Sequence, residues 1–133
     1  MNPEVWGPQL WTFLHSITFN YPIEPSLEVI DSHRVFLHSL KNVIPCETCS
    51  FELIEYIDSY PPILGSKPEF INWMIELHNH VNRKLDKREY TYSEVVDLYN
   101  TMYSGSIRNY FTGKNVLIVI LCMIIIYQNI KLN

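Results

Sequence analysis

The chain has 133 residues and a mass of 15.8 kDa, which is the size of one domain with enough residues to bury a core. Hydrophobic residues make up 47% of the chain and charged residues 18%, a composition that excludes intrinsic disorder of the whole chain. The net charge of -4 lacks the basic surplus of nucleic-acid-binding proteins, so we expect no nucleic-acid partner. The three cysteines, Cys46, Cys49 and Cys122, are too few for a secreted disulfide framework.

Hydrophobic spacing predicts an all-α chain without a sheet. The first helix is expected over about residues 3–19 and the second over about residues 26–42, each ended by prolines. A third helix is expected to begin near Cys46, directly after Pro45. The capping box Ser66-Lys67-Pro68-Glu69 predicts the start of a fourth helix. A short fifth helix is expected over Ser93 to Tyr103, with Ser93 as its cap.

The composition changes after Ser104-Gly105-Ser106, which predicts a boundary between a domain of residues 1–105 and a C-terminal hydrophobic segment of residues 106–133. Residues 116–127 are an unbroken apolar run that would span only about 18 Å as a helix. Extended to residues 107–130, the helix would be long enough for a bilayer. A helix packed on the bundle is the alternative, but the run is apolar on every face. We therefore expect a single-pass transmembrane anchor with residues 1–105 on the cytosolic side.

Cys46 and Cys49 form a C-x-x-C at the predicted start of the third helix. Such a pair suits thiol–disulfide exchange, because the positive end of the helix stabilises a thiolate. By itself the pair could equally be half of a zinc site or a coincidence. Zinc needs two further ligands, and the available His78 and His80 point to different faces of their helix. We therefore expect no metal site.

One face of the predicted fourth helix combines a ring, an amide and aliphatic side chains. These residues follow helical spacing and are His78, Val81, Asn82 and Leu85. They would form a wall for a flat heterocycle with polar edges. Three basic residues lie just beyond, where cations could meet phosphate groups: Arg83, Lys84 and Lys87. The alternative is a helix that buries one histidine and exposes its basic side chains.

Together these motifs and others match one known family in order and spacing. The first half of the match consists of Trp6-Gly7, Trp11, Leu14-His15, Tyr21-Pro22 and Phe36-Leu37-His38. The second half consists of Pro45-Cys46-x-x-Cys49, Trp73 and the H-N-x-V-N-R-K-L motif within Leu77–Lys87. Over about residues 5–103 the chain resembles the Erv/ALR family of FAD-linked sulfhydryl oxidases, most of all its short viral members. The C-x-x-C is unspecific alone but highly specific when joined to this motif.

The resemblance implies a four-helix bundle with a short fifth helix that holds FAD at one end, to which this chain adds a C-terminal apolar helix. It implies that Cys46 and Cys49 are the redox-active disulfide, with Cys46 attacked by substrate and Cys49 next to the flavin. Electrons would pass to O2 and give H2O2. The residues that the resemblance assigns to cofactor binding are Gly7, Trp11, His15, His78, Asn79, Val81, Asn82, Arg83, Lys84, Leu85 and Lys87.

The resemblance also implies a homodimer that oxidises a dithiol protein. Because this sequence has no second, shuttle cysteine pair, electrons would come directly from a thioredoxin-like or viral structural protein. A cytosolic thiol oxidase suits a large DNA virus, with the protein in a host membrane or the virion, since cellular thiols are kept reduced. Two alternatives remain: a membrane-anchored exchange module without flavin, and a structural zinc or adaptor bundle. The segment His78–Lys87 favours the oxidase, because neither alternative needs it.

Overall fold

A computed structural model describes residues 1–110, of which residues 106–110 are described by their backbone only. The helices are α1 (Pro3–Asn20), α2 (Leu27–Ser39), α3 (Glu47–Ser59), α4 (Lys67–Lys84) and α5 (Tyr92–Tyr110), and a 3-10 turn at Leu40–Asn42 follows α2. Residues 1–110 contain no strand, which confirms the prediction of an all-α fold. The predicted C-terminal apolar helix lies outside the described residues. None of the helices described combines the length and the apolar character that crossing a membrane requires.

Side-chain caps explain where the helices begin. Asn2 accepts a hydrogen bond from the backbone N–H of Glu4 at 3.0 Å, and Pro3 occupies the first turn of α1, where no N–H is needed. At α4, Ser66 Oγ donates to Glu69 Oε2 at 2.8 Å and accepts from the Glu69 N–H at 3.5 Å. The predicted start of the fourth helix is therefore confirmed.

The fifth helix differs from the prediction at both ends. Its cap is Thr91, not Ser93: Thr91 Oγ1 accepts from the Glu94 N–H at 3.3 Å, and Glu94 Oε2 accepts from the Thr91 N–H at 2.8 Å. The helix also continues through residues 104–106 to Tyr110, so the prediction of a short helix that ends at Tyr103 is wrong. Interior Ser and Gly lower helix propensity by only about 1 kcal/mol or less each, which a long helix tolerates. The boundary at residue 105 stays a prediction.

The chain divides into two compact units, Met1–Val95 and a second that begins at Val96. In the first unit, α1 packs against α4, and all four of its helices contribute to one core. The innermost of these side chains are Leu14, Leu37, Ile57, Phe70, Met74 and Leu77. Tyr21 is also fully buried, and its hydroxyl donates to the Leu64 carbonyl at 2.9 Å, which ties the α1–α2 loop to the α3–α4 loop.

Candidate functional site

The two cysteines of the C-x-x-C form a disulfide at the first turn of α3. Cys46 is the N-cap residue, and its Sγ accepts a hydrogen bond from the Cys49 backbone N–H at 3.3 Å. Thr48 Oγ1 lies 3.4 Å from the same sulfur. When the disulfide is reduced, this N–H and the positive end of α3 are placed to stabilise a thiolate on Cys46.

A cluster of three rings joins α1 to α4. The Trp11 indole stacks on the His78 imidazole with centroids 4.0 Å apart and planes inclined by 7°. His15 lies one turn after Trp11, and its Nε2 is 3.1 Å from His78 Nδ1. The structure thus brings together three residues that the sequence assigned to cofactor binding on two separate helices.

Both histidines of this cluster are neutral at pH 7. Burial, together with the neighbouring His78 as the second cause, lowers the pKa of His15 to about 4. Burial also lowers the pKa of His78 to about 4, with the Lys87 ammonium group as the second cause. Because the two ring nitrogens share one proton, one imidazole donates and the other accepts.

Asn79 and Asn82 are both buried, but their amide groups have different surroundings. Asn79 Nδ2 donates to the Tyr90 carbonyl at 2.8 Å, and Asn79 Oδ1 accepts from the Tyr90 N–H at 2.9 Å. Asn82 Nδ2 finds no hydrogen-bond partner among the described residues. Asn82 lies one turn after His78 on the same helix face, so a buried donor without a partner adjoins the ring cluster.

Of the basic residues that follow, Arg83 and Lys84 are exposed and already engage carboxylates. Arg83 forms an ion pair with Glu89, and Lys84 Nζ lies 3.5 Å from Glu52 Oε1 on α3, one turn after Cys49. Val81 is half-buried, whereas Leu85 is exposed and ends α4 as its C-cap.

The chain reverses direction just after α4. Asp86 adopts a left-handed backbone conformation with φ of 53°, and the Lys87 N–H donates to the Asn82 carbonyl at 2.8 Å. This is a Schellman motif with aspartate where glycine is usual. The motif brings the backbone of Lys87 back to the end of α4. This explains why the charge of the Lys87 ammonium group lowers the pKa of His78.

At the start of α1, a Cβ added to Gly7 would meet no heavy atom of the described residues within 4 Å. Nothing in that part of the chain therefore requires glycine at this position. The Nε1 of the preceding Trp6 is buried and lacks a hydrogen-bond partner within the described residues. Sequence reasoning did not assign Trp6, Glu52 or Tyr90 to the site. Tyr90 takes part through its backbone, for which residue identity gives no signal.

The site residues fit a flat heteroaromatic ligand with hydrogen-bond acceptors at its edge. A buried donor left unpaired costs about 1–3 kcal/mol, so the Asn82 amide is stabilised by any group that offers it an acceptor. Flat rings on α1 and α4 provide stacking surfaces beside it. Lys84 and Lys87 add positive charge that suits phosphate groups.

Comparison with known proteins identifies similar chains. The model of the Erv1 / Alr family matches residues 8–100. A probable FAD-linked sulfhydryl oxidase of Acanthamoeba polyphaga mimivirus is 34% identical over 100 residues, which cover 73% of this chain and 70% of that protein. The mitochondrial FAD-linked sulfhydryl oxidase of Saccharomyces cerevisiae is 34% identical over 87 residues. That match covers 65% of this chain but only 46% of the yeast protein.

The fold is similar to a solved structure as well. The crystal structure of the FAD-binding domain of Erv1 from Saccharomyces cerevisiae matches with a TM-score of 0.69 and 33% identity. The match covers 71% of this chain and 90% of that one.

Proposed function

This chain belongs to the Erv1/Alr family, and we propose that its Cys46–Cys49 disulfide is the pair through which it oxidises dithiols of partner proteins. Its curated relatives are FAD-linked sulfhydryl oxidases, so the protein is an FAD-dependent thiol oxidase and FAD is its cofactor. The observation that carries the proposal is the disulfide at a helix N-terminus, with the sulfur of Cys46 accepting the Cys49 N–H.

The chemistry of the cysteines follows from this geometry. A substrate thiolate attacks Cys46 Sγ, a bond between the two sulfurs forms, and the Cys46–Cys49 bond breaks with its electron pair on Cys49. A second substrate thiolate then attacks the substrate sulfur of this mixed disulfide. The substrate leaves as a disulfide, and Cys46 leaves as a thiolate that the Cys49 N–H stabilises. FAD, when bound, supplies the two-electron chemistry that returns the cysteines to the disulfide and passes the electrons to O2 as H2O2.

We assign the binding of FAD to the ring cluster and the residues that follow it. Trp11, His15 and His78 provide aromatic surfaces, and Asn82 provides the buried donor. The remaining residues of the proposed site are Gly7, Val81, Arg83, Lys84, Leu85 and Lys87.

Asn79 has a different proposed role from the one the sequence implied. Its amide is engaged by the backbone of Tyr90, so we assign it to positioning the loop that carries Lys87. Through this loop it acts on the cofactor without contacting it.

The proposal includes a homodimer, supported by exposed apolar side chains on neighbouring helices. Phe13 on α1 is 55% exposed, and its ring packs edge-on against Phe36 of α2. Val35 of α2 is exposed as well. Burial of such a surface in a second copy would remove apolar area from water.

The wider setting of the enzyme is also proposed. We assign residues 1–105 to the oxidase domain and residues 106–133 to a membrane anchor, with the oxidase domain in the cytosol and a dithiol protein as substrate. The similarity to the mimivirus protein, and 33% identity over 94 residues to a protein of invertebrate iridescent virus 6, support a large DNA virus as the setting.

The test is the visible absorption spectrum of the purified full chain. We expect a flavin spectrum that bleaches with dithiothreitol in the absence of air and returns when air is admitted. Cys49→Ser should keep the flavin but lose O2 consumption with dithiothreitol, whereas the matched control Cys122→Ser should retain both. A colourless folded protein, or full turnover by Cys49→Ser, would contradict the proposal.

A further inference from the structure

The outer face of α3 carries a large exposed aromatic side chain next to the redox pair. Phe51 is 72% exposed, although it lies only two residues after Cys49. The same helix packs inward through Leu53, Tyr56 and Ile57, so the core does not need Phe51. Val43, three residues before Cys46, is 69% exposed. Exposed apolar side chains thus flank the disulfide on both sides along the chain.

Carboxylates surround Phe51 on this face. Glu47, Glu55 and Asp58 stand four residues before, four after and seven after it, which are the positions that share its helix face. All three are exposed, and none forms an ion pair within the described residues. Glu52 lies to the side of this face and is paired with Lys84. The face therefore combines an apolar centre with unneutralised negative charge.

We propose that this face, defined by Phe51, Glu47, Glu55 and Asp58, docks the reduced protein substrate through a segment in which basic and apolar residues flank the cysteine pair. The inference rests on the proposed role of Cys46. To bring a thiolate to Cys46 Sγ, a substrate chain must approach the first turns of α3, and Phe51 lies about one turn after the first residue of that helix, Glu47.

Charge complementarity determines the chemistry of the partner. Unpaired carboxylates attract a basic segment and repel an acidic one. This charge complementarity raises the rate of encounter with basic partners and the specificity for them. Basic residues beside the substrate cysteines also lower the pKa of their thiols and raise the thiolate fraction that attacks. An apolar residue of the substrate on Phe51 would bury surface that is otherwise exposed to water.

The experiment compares two synthetic dithiol peptides that have the same cysteine spacing and one leucine each. In one peptide arginines flank the cysteines, and in the other glutamates flank them. The FAD-loaded full chain oxidises each, and kcat/KM is divided by the value for dithiothreitol. We expect about a tenfold preference for the arginine peptide at low ionic strength, shrinking as salt screens the charges. Glu55→Gln/Asp58→Asn should reduce this preference several-fold, and Phe51→Ser should lower the ratio for both peptides. The control Ile23→Ser, at a loop residue 71% exposed, should change neither.

A second readout separates docking from turnover. The affinity of cysteine-to-serine versions of both peptides, measured by fluorescence anisotropy, should follow the same order. Loss of dithiothreitol oxidation with a retained arginine preference in binding would overturn the proposed function and support the docking face. Equal affinity and equal kcat/KM for both peptides would overturn the docking face alone. A changed sedimentation coefficient in Phe51→Ser, with unchanged peptide ratios, would assign the face to contact with a second copy of this chain. That result would also overturn its proposed role in substrate docking.

Discussion

Asn79 and Tyr90 hold each other through two hydrogen bonds, one in each direction between a side-chain amide and a backbone peptide group, at 2.8 and 2.9 Å. Asn79 lies near the start of the proposed cofactor segment His78–Lys87, whereas Tyr90 lies near the end of the loop between α4 and α5. The Lys87 N–H is bound to the Asn82 carbonyl between them. The position of Lys87 therefore depends on α4 at two points.

Asn79→Ala should release this loop and weaken FAD binding through Lys87. Loss of both hydrogen bonds leaves the Tyr90 peptide groups in need of other partners, and we expect a loss of stability of about 1–3 kcal/mol. The measurement is a double-mutant cycle on the FAD dissociation constant with Lys87→Ala. We expect the effect of Asn79→Ala to be much smaller when Lys87 is already absent.

Purely additive losses in this cycle would show that Asn79 acts on FAD independently of Lys87. The salt dependence of FAD binding gives a readout that general destabilisation does not move. It should weaken in Asn79→Ala, because a displaced Lys87 no longer contributes its charge.

The two histidines of the ring cluster should make the protein acid-sensitive. Both stay neutral in the folded state down to about pH 4, whereas in the unfolded chain they take up protons near pH 6.5. Between these values the unfolded state binds more protons, so the free energy of unfolding falls as the pH falls from 6.5 towards 4. For His15 alone the loss is about 3 kcal/mol, at about 1.4 kcal/mol for each pKa unit.

Urea unfolding of the flavin-free protein at pH 7 and pH 5 measures this dependence. His15→Gln removes one of the histidines with a lowered pKa and should flatten the pH profile, even if the variant is less stable at pH 7. An unchanged slope in that variant would mean that His15 does not cause the acid sensitivity.

The backbone at Asp86 gives a prediction on stability. A left-handed conformation costs a residue with a Cβ about 1–2 kcal/mol, less for aspartate, and glycine adopts it without strain. Asp86→Gly should therefore be at least as stable as the natural protein, and Asp86→Ala less stable than Asp86→Gly by about 1 kcal/mol. Thermal unfolding of the two variants tests this, and equal melting temperatures would refute the assigned strain.

The buried hydrogen bond of Tyr21 gives a second prediction on stability. Tyr21→Phe keeps the ring but leaves the Leu64 carbonyl without its 2.9 Å donor. We expect a loss of about 1–2 kcal/mol in the free energy of unfolding by urea. Tyr60→Phe, at a tyrosine 61% exposed, is the matched control and should stay within about 0.5 kcal/mol. A Tyr21→Phe variant as stable as this control would be contrary to the role of the hydroxyl.

The helices could be predicted because the sequence signals that start and end them are local. The site could be predicted only in part, since its contacts join residues that are far apart in the sequence. Ser66-x-x-Glu69 correctly predicts the start of α4, and the same pattern at Thr91-x-x-Glu94 marks the start of α5, where the prediction of Ser93 as the cap is wrong. The spacing of His78 and Asn82 correctly placed them on one face. Their surroundings depend on tertiary packing: His15 meets His78 across 63 positions, and the partner of Asn79 is a backbone group, for which no residue type is diagnostic.

Asn82 offers the sharpest test of the cofactor site, because its buried donor has no partner among the described residues. Replacing such a group with an apolar side chain of similar size removes a desolvation penalty. Asn82→Leu should therefore raise the free energy of unfolding of the flavin-free protein by about 1 kcal/mol. The same variant should bind FAD at least tenfold more weakly, since the donor for the ligand is gone.

Asn79→Leu is the matched control, with the same exchange on the same helix. Because the Asn79 amide is satisfied by Tyr90, its removal should lower the free energy of unfolding, opposite in sign to Asn82→Leu. Urea unfolding without FAD and equilibrium titration with FAD measure the two quantities separately. If Asn82→Leu destabilises the flavin-free protein as Asn79→Leu does, the Asn82 amide serves the fold. If FAD affinity is unchanged as well, Asn82 does not belong to the cofactor site.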